Sequence, residues 1–134
     1  MTDLYEHFKA RVPEGWSRVM AMPLPEGGAP GSYAEATLST AFGDVWLRPN
    51  LSVRERRIAV LTVLTLFGRD DITRLHVSSA LSKGDLDFDD LEELAVTLAV
   101  YAGAPAATTF YLLIEEVRRA RRQDGQAEEG ESGA

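Results

Sequence analysis

The 134-residue chain predicts an all-α, single-domain bundle of about six helices that self-associates. Three observations lead there. Hydroxyl or carboxylate capping residues stand at regular intervals before apolar segments, as at Ser32 with Glu35, Ser52 with Glu55, and Asp87. Within those segments the apolar residues recur at intervals of three and four. Proline and glycine fall between the segments and break the chain into lengths that suit helices.

Taken in order, residues 3–11 place Leu4 and Phe8 on one face, with a cap expected at Thr2 and a stop at Pro13. Trp16 to Met22 fits either a helical turn or an extended segment. Residues 23–31, with Pro23, Pro25, Gly27, Gly28, Pro30 and Gly31, predict an irregular loop long enough to act as a lid or a partner-binding arm. The second helix follows the Ser32/Glu35 pair, and Pro49 keeps Trp46 and Arg48 on an irregular segment beyond it. A third helix starts at Val53. From Ile58 to Phe67 only Thr62 and Thr65 interrupt its apolar run, so it needs cover on nearly every side, which implies a subunit contact. The β-branched residues of that run also suit a buried strand, but its continuity with the capped, charged turn favours a helix. Asp70 or Asp71 caps a fourth helix ending at Lys83 before Gly84. The fifth carries Leu91, Leu94, Ala95, Leu98 and Ala102 on one stripe up to Gly103, and Pro105 opens a sixth. The domain so defined covers residues 1–122. Residues 123–134, QDGQAEEGESGA, are too polar and small to pack and read as a disordered acidic tail.

Composition narrows the function. Without cysteine the chain has no disulfide, thiol redox cycle or cysteine-bound metal, and two histidines do not make a histidine-rich metal site. No apolar run approaches the roughly 20 residues that span a bilayer, and MTDLYEHFKARVPEG lacks the apolar centre of a signal peptide, so the expected compartment is the cytoplasm. The net charge is −7, of which the tail supplies −4. That balance excludes an ordinary nucleic-acid binder. The arginines cluster at Arg54, Arg56 and Arg57 and again at Arg118, Arg119, Arg121 and Arg122, the latter suiting the negative end of a helix dipole.

Among chemically active side chains, His76 stands out. Ile72, Leu75, Ser79 and Ala80 surround it at helical spacing and turn its ring inward, where an imidazole serves either as a satisfied core group or as an acid/base. Arg48 and Arg56 flank the start of the third helix. A guanidinium binds a carboxylate through two parallel hydrogen bonds, although Glu55, Asp44 and a neighbouring subunit are alternative partners for Arg56. Trp46, between Val45 and Leu47, suits a pocket wall or a core, and Tyr101 either donates from its hydroxyl or packs.

Three stretches, FGDVWLRPNLSVRERR, GRDDITRLHVSSALSKG and LEELAVTLAVYAGAPAA, resemble in that order the carboxymuconolactone decarboxylase family, small helical proteins related to the alkylhydroperoxidase-D-like enzymes. LHVSSALSKG looks like the family's L-H-x-x-x-A-L-x-x-G element, in which the histidine faces the pocket. The peroxidase-like relatives carry C-x-x-C-x-x-x-H there. Placed on His76, that pattern puts the thiols at Arg69 and Ile72 and their glutamate at Arg57, so the chain sits with the cysteine-free branch.

The resemblance implies decarboxylation, without cofactor or metal, of a small unsaturated lactone or keto acid. The electrons left behind by CO₂ spread to the lactone carbonyl, and the protein supplies anion recognition, enolate stabilisation and a proton. The implied catalytic residues are His76, Arg48 and Arg56. The implied substrate-binding residues are Trp46, Tyr101 and Asp44, the last standing where many members have glutamate. The implied assembly is a homotrimer or homohexamer. Two departures bear on this. Residues 12–41 contain no counterpart of the family's G-x-x-H-V histidine, His7 lying in a different and exposed context, and Arg57 replaces a small residue after R-E-R. They leave open an isomerase or cyclase acting on a bulkier substrate, and a non-catalytic scaffold.

Overall fold

In the computed structural model, which describes residues 3–133, six α-helices and one 3₁₀ turn follow one another: α1 (Leu4–Val19), α2 (Tyr33–Ala41), the turn Val45–Leu47, α3 (Val53–Leu66), α4 (Asp70–Lys83), α5 (Phe88–Tyr101) and α6 (Ala104–Ser132). Among the described residues there is no strand. The helices pack as sequential pairs, α1 with α2, α3 with α4 and α5 with α6, and α4 joins the pairs by touching both α1 and α6.

Capping chemistry sets most boundaries. The Ser52 hydroxyl accepts from the Glu55 amide while the Glu55 carboxylate accepts from the Ser52 amide, so two amides that α3 cannot satisfy internally are satisfied. Asp87 and Asp90 repeat the arrangement at α5. At α2 only half of it forms. Ser32 accepts from the Glu35 amide, but the Glu35 carboxylate accepts from Gly31. The start of α4 also differs from expectation, since Arg69 is the N-cap without a side-chain bond and both Asp70 and Asp71 lie inside the first turn, where their charge suits the positive end of the helix.

The first helix is longer than its proline suggests. The expected cap, Thr2, lies outside the described residues, and the cap is Asp3, whose carboxylate accepts from the Tyr5 amide. Pro13 is exposed inside α1, and the helix continues to Val19. An interior proline costs about 3 kcal/mol. Burial of Val12, Gly15 and Val19 along one face, with Trp16 packed against Phe42 at a ring separation of 4.8 Å, offsets it. Gly15 is needed there because a Cβ would stand 1.7 Å from the Phe42 carbonyl oxygen, so α1 and the end of α2 meet through backbone.

The core has two apolar clusters. Phe8, Val12, Val19, Met20, Phe42 and Trp46 form one around α1 and α2. Leu61, Val77, Leu91, Leu98, Phe110 and Ile114 anchor the other across α3 to α6. Residues 20–32 are irregular, as expected, and lie over α1, with Gly28 against the Phe8 ring. The sixth helix continues to Ser132, where an unstructured tail was expected, but every residue from 119 to 133 is exposed and none contributes to the core. In the single chain α3 is not covered on all sides. Leu61 is buried, whereas Val63 and Leu66 are about half exposed and Phe67 is 77% exposed. No helix of the described residues is long and apolar enough to cross a membrane.

Candidate functional site

His76 sits where the two clusters meet. It occupies the middle of α4, one residue before Val77 of the second cluster, and its ring stacks on Trp46 of the first, with centroids 6.0 Å apart and planes 20° from parallel. Trp46 stacks in turn on Phe42 at 6.4 Å. Only 7% of His76 is exposed, so both faces of the imidazole are away from bulk water.

The residue that meets it is Arg57, on the second turn of α3 and 0% exposed. Its Nη1 lies 2.9 Å from His76 Nδ1, its Nε donates to Asp85 Oδ2 at 3.1 Å, and its Nη2 donates to Asp85 Oδ1 at 3.3 Å and to the Val19 carbonyl. The guanidinium also lies over the Trp46 ring, 5.6 Å from its centroid. Four of the five guanidinium hydrogens are thereby engaged, which explains how a permanent cation is buried at acceptable cost. Asp85, in the turn after Gly84, is the counter-charge, and the left-handed backbone of Gly84 (φ 80°) turns the chain back toward α3.

This geometry decides the protonation of His76. An arginine has no acceptor, so Nδ1 must present its lone pair, and the ring proton therefore resides on Nε2. Burial first, and the Arg57 charge second, push the His76 pKa down to about 4, so the ring is neutral at pH 7.

The other expected residues divide. Trp46 is at the site. Arg56 is committed to backbone, its Nη2 donating to the carbonyls of Arg48 (3.1 Å) and Leu51 (3.4 Å), so it clamps the segment that carries Arg48. Arg48 is exposed, and its guanidinium makes no hydrogen bond among the described residues. Asp44 is exposed and lies 3.1 Å from Nε2 of His7, which is partly buried rather than freely exposed. Tyr101, 87% exposed at the end of α5, makes no aromatic contact with Trp46 or His76. The reading from sequence missed Arg57 and Asp85 as partners of the histidine. The signal was present, because Arg57 precedes the buried Leu61 by four residues and so shares its inward stripe.

Known proteins resemble the chain over its central part. Residues 32–116 match the carboxymuconolactone decarboxylase family. Over 77 residues, 58% of this chain and 57% of the relative, the sequence is 36% identical to a 4-carboxymuconolactone decarboxylase of Acinetobacter baylyi, so the aligned stretch spans little more than half of that relative's length. No solved structure matches. A helical chain whose histidine helix, capped α3 and α5 all lie within the matched span belongs to the carboxymuconolactone decarboxylase family.

Proposed function

We propose that the chain catalyses decarboxylation, without a cofactor, of a small unsaturated lactone acid of the 4-carboxymuconolactone type, with His76 as the group that meets the developing charge. The observation that carries this reading is the buried, oriented imidazole of His76 between Trp46 and Arg57, in a chain of this family. In such a reaction the carbon–carbon bond to the carboxylate breaks and its electron pair moves through the ring to the lactone carbonyl oxygen. A hydrogen bond from His76 Nε2 stabilises that enolate as CO₂ leaves, and a proton from water then adds to the ring carbon to give the neutral lactone. Arg48 is the cation available to a substrate carboxylate, and Arg56 holds its backbone in place. Trp46 provides an apolar wall, and Asp44 stands at the start of the turn that carries it, whereas Tyr101, exposed at the end of α5, has no such place within one chain.

A homo-oligomer, trimer or hexamer, completes the proposal. Two apolar faces support it: a hollow of about 230 Å³ on α3 lined by Ala59, Val60, Val63 and Leu64, and one of about 280 Å³ between α5 and α6 that includes Val96, Ala99 and Tyr111.

The test is turnover of 4-carboxymuconolactone by the wild type, His76→Leu, which removes the donor, and Arg48→Lys. The histidine change should lower kcat by about 10²–10³-fold, because that hydrogen bond strengthens in the transition state. Arg48→Lys should act mainly on KM, since the carboxylate is already bound in the ground state. Unchanged kcat in a folded His76→Leu protein would refute the assignment. One observation favours a second reading, a non-catalytic scaffold: Arg57 is bulky and packed directly against the imidazole. A scaffold would show no turnover and no thermal stabilisation by the lactone acid.

A further inference from the structure

The usual way to orient an active imidazole is a carboxylate accepting from Nδ1–H, which raises the basicity of the ring. Here the polarity is reversed. The group at Nδ1 is a donor and a cation, 2.9 Å away, held on its far side by both oxygens of Asp85 and by a main-chain carbonyl of α1. We infer that Arg57, anchored by Asp85, is a positioning residue that locks His76 as a neutral, Nε2-protonated ring and turns it from a base into a hydrogen-bond donor.

The inference follows from charge and valence. A cation beside Nδ1 disfavours a second proton on the ring and favours the electron density that gathers on the ring as Nε2–H is drawn toward an anion. One neighbour therefore weakens imidazole as a base and strengthens it as a donor, the property needed to stabilise an enolate. Nothing else around the ring counters this. Trp46 of the 3₁₀ turn stacks on it, α1 contributes the Val19 carbonyl to Arg57, and the α4–α5 turn contributes Asp85, whose charge is spent on Arg57. On α4 itself the buried neighbours Thr73, Val77, Ser79 and Ala80 are uncharged, and no ion pair among the described residues includes His76. The catalytic meaning of the lock rests on the proposed decarboxylation, but the tautomer does not.

The experiment is a two-dimensional ¹⁵N–¹H correlation of histidine-labelled full-length protein between pH 8 and 5, with His76→Gln identifying the signals. His76 should appear as the Nε2–H tautomer throughout, with no titration above pH 5. An Nδ1–H tautomer, a tautomer mixture or a midpoint above pH 6 would overturn the inference. The paired variant Arg57→Met/Asp85→Asn removes both charges together and should raise the His76 midpoint only part of the way toward the ordinary range, because burial remains, while releasing the tautomer. A His76 that keeps its single Nε2–H tautomer in that variant would show that Arg57 does not set it, which also overturns the inference. Should the paired variant not fold, Arg57→Lys supplies the second arm. It keeps a donor-only cation beside Nδ1, so the ring should stay neutral and Nε2-protonated, and a changed tautomer overturns the role assigned to the cation. The two levels separate cleanly: a locked Nε2–H ring in a protein that does not turn over the lactone sinks the reaction and leaves the positioning role intact.

Discussion

Lowering the pH should expose the strain of keeping His76 neutral. The folded pKa, about 4, lies below the ordinary value of 6.5, so the unfolded chain binds a proton that the folded chain refuses. Stability from this group is complete above about pH 7 and falls as pH drops from 6.5 toward 4. The full difference is about 3 kcal/mol, and the part expressed between pH 7.5 and 5 is about 2 kcal/mol. Other titrations are separable. Asp90, held down by its hydrogen bonds from Arg54, and Glu55, held down by the Ser52 cap, lose their contributions only as the pH falls below about 4.5. The assay is thermal and urea unfolding followed by far-UV circular dichroism, at one fixed protein concentration because association contributes to apparent stability. The comparison is wild type against His76→Gln, in which glutamine still accepts from Arg57 but does not titrate, and His7 is common to both. For a chain of this size the wild type should lose roughly 5–10 °C more than the variant between pH 7.5 and 5. Parallel curves for the two proteins would refute the argument that the folded state keeps this ring unprotonated.

Three further outcomes are expected. Asp85→Asn should destabilise by roughly 3–5 kcal/mol, because Arg57 is fully buried and would lose its counter-charge, and Arg57→Met/Asp85→Asn should recover part of that loss in urea unfolding. Gly15→Ala should cost more than the roughly 1–3 kcal/mol of ordinary overpacking, since its Cβ would meet backbone at 1.7 Å, and a melting temperature within 2 °C of wild type, on the order of half a kcal/mol, would contradict the close approach of α1 and α2. Light scattering should find a species several times the 14.7 kDa chain, and Val63→Glu should shift it toward the monomer. A wild-type monomer at micromolar concentration would refute the interface on α3.

How much of this was legible beforehand depended on whether the relevant physics was local. Caps are local, so Ser52 with Glu55 and Asp87 named their helix starts to the residue. Pro13 misled because its penalty is local but its compensation is not. The stripe of Phe8, Val12, Gly15 and Val19 runs straight through the proline at helical spacing, and only the contact with Phe42 shows why the helix carries on. The tail is the converse case, where polar composition argued against packing and the exposed helical residues after 119 agree on packing but not on regularity.

The site shows the same divide more sharply. Trp46 and His76 were found because an aromatic and an imidazole on inward faces already look like a site. Arg57 stood out in the sequence only as a bulky, charged departure after R-E-R and not as a partner of the histidine, while Arg54, Glu55 and Arg56 beside it are solvent-facing or tied to nearby backbone. A charged residue four positions before a leucine with no exposed surface cannot face solvent, however, unless the helix twists away from its own period. Given that it points inward, Arg57 must find an anion and acceptors, and the helix packed most extensively against α3 is α4, whose inward histidine and following acidic turn supply both. The pairing of Arg57, His76 and Asp85 is therefore the arrangement that a buried guanidinium at this register requires, and it is the requirement of the cation, more than that of the histidine, that sets the chemistry of the ring.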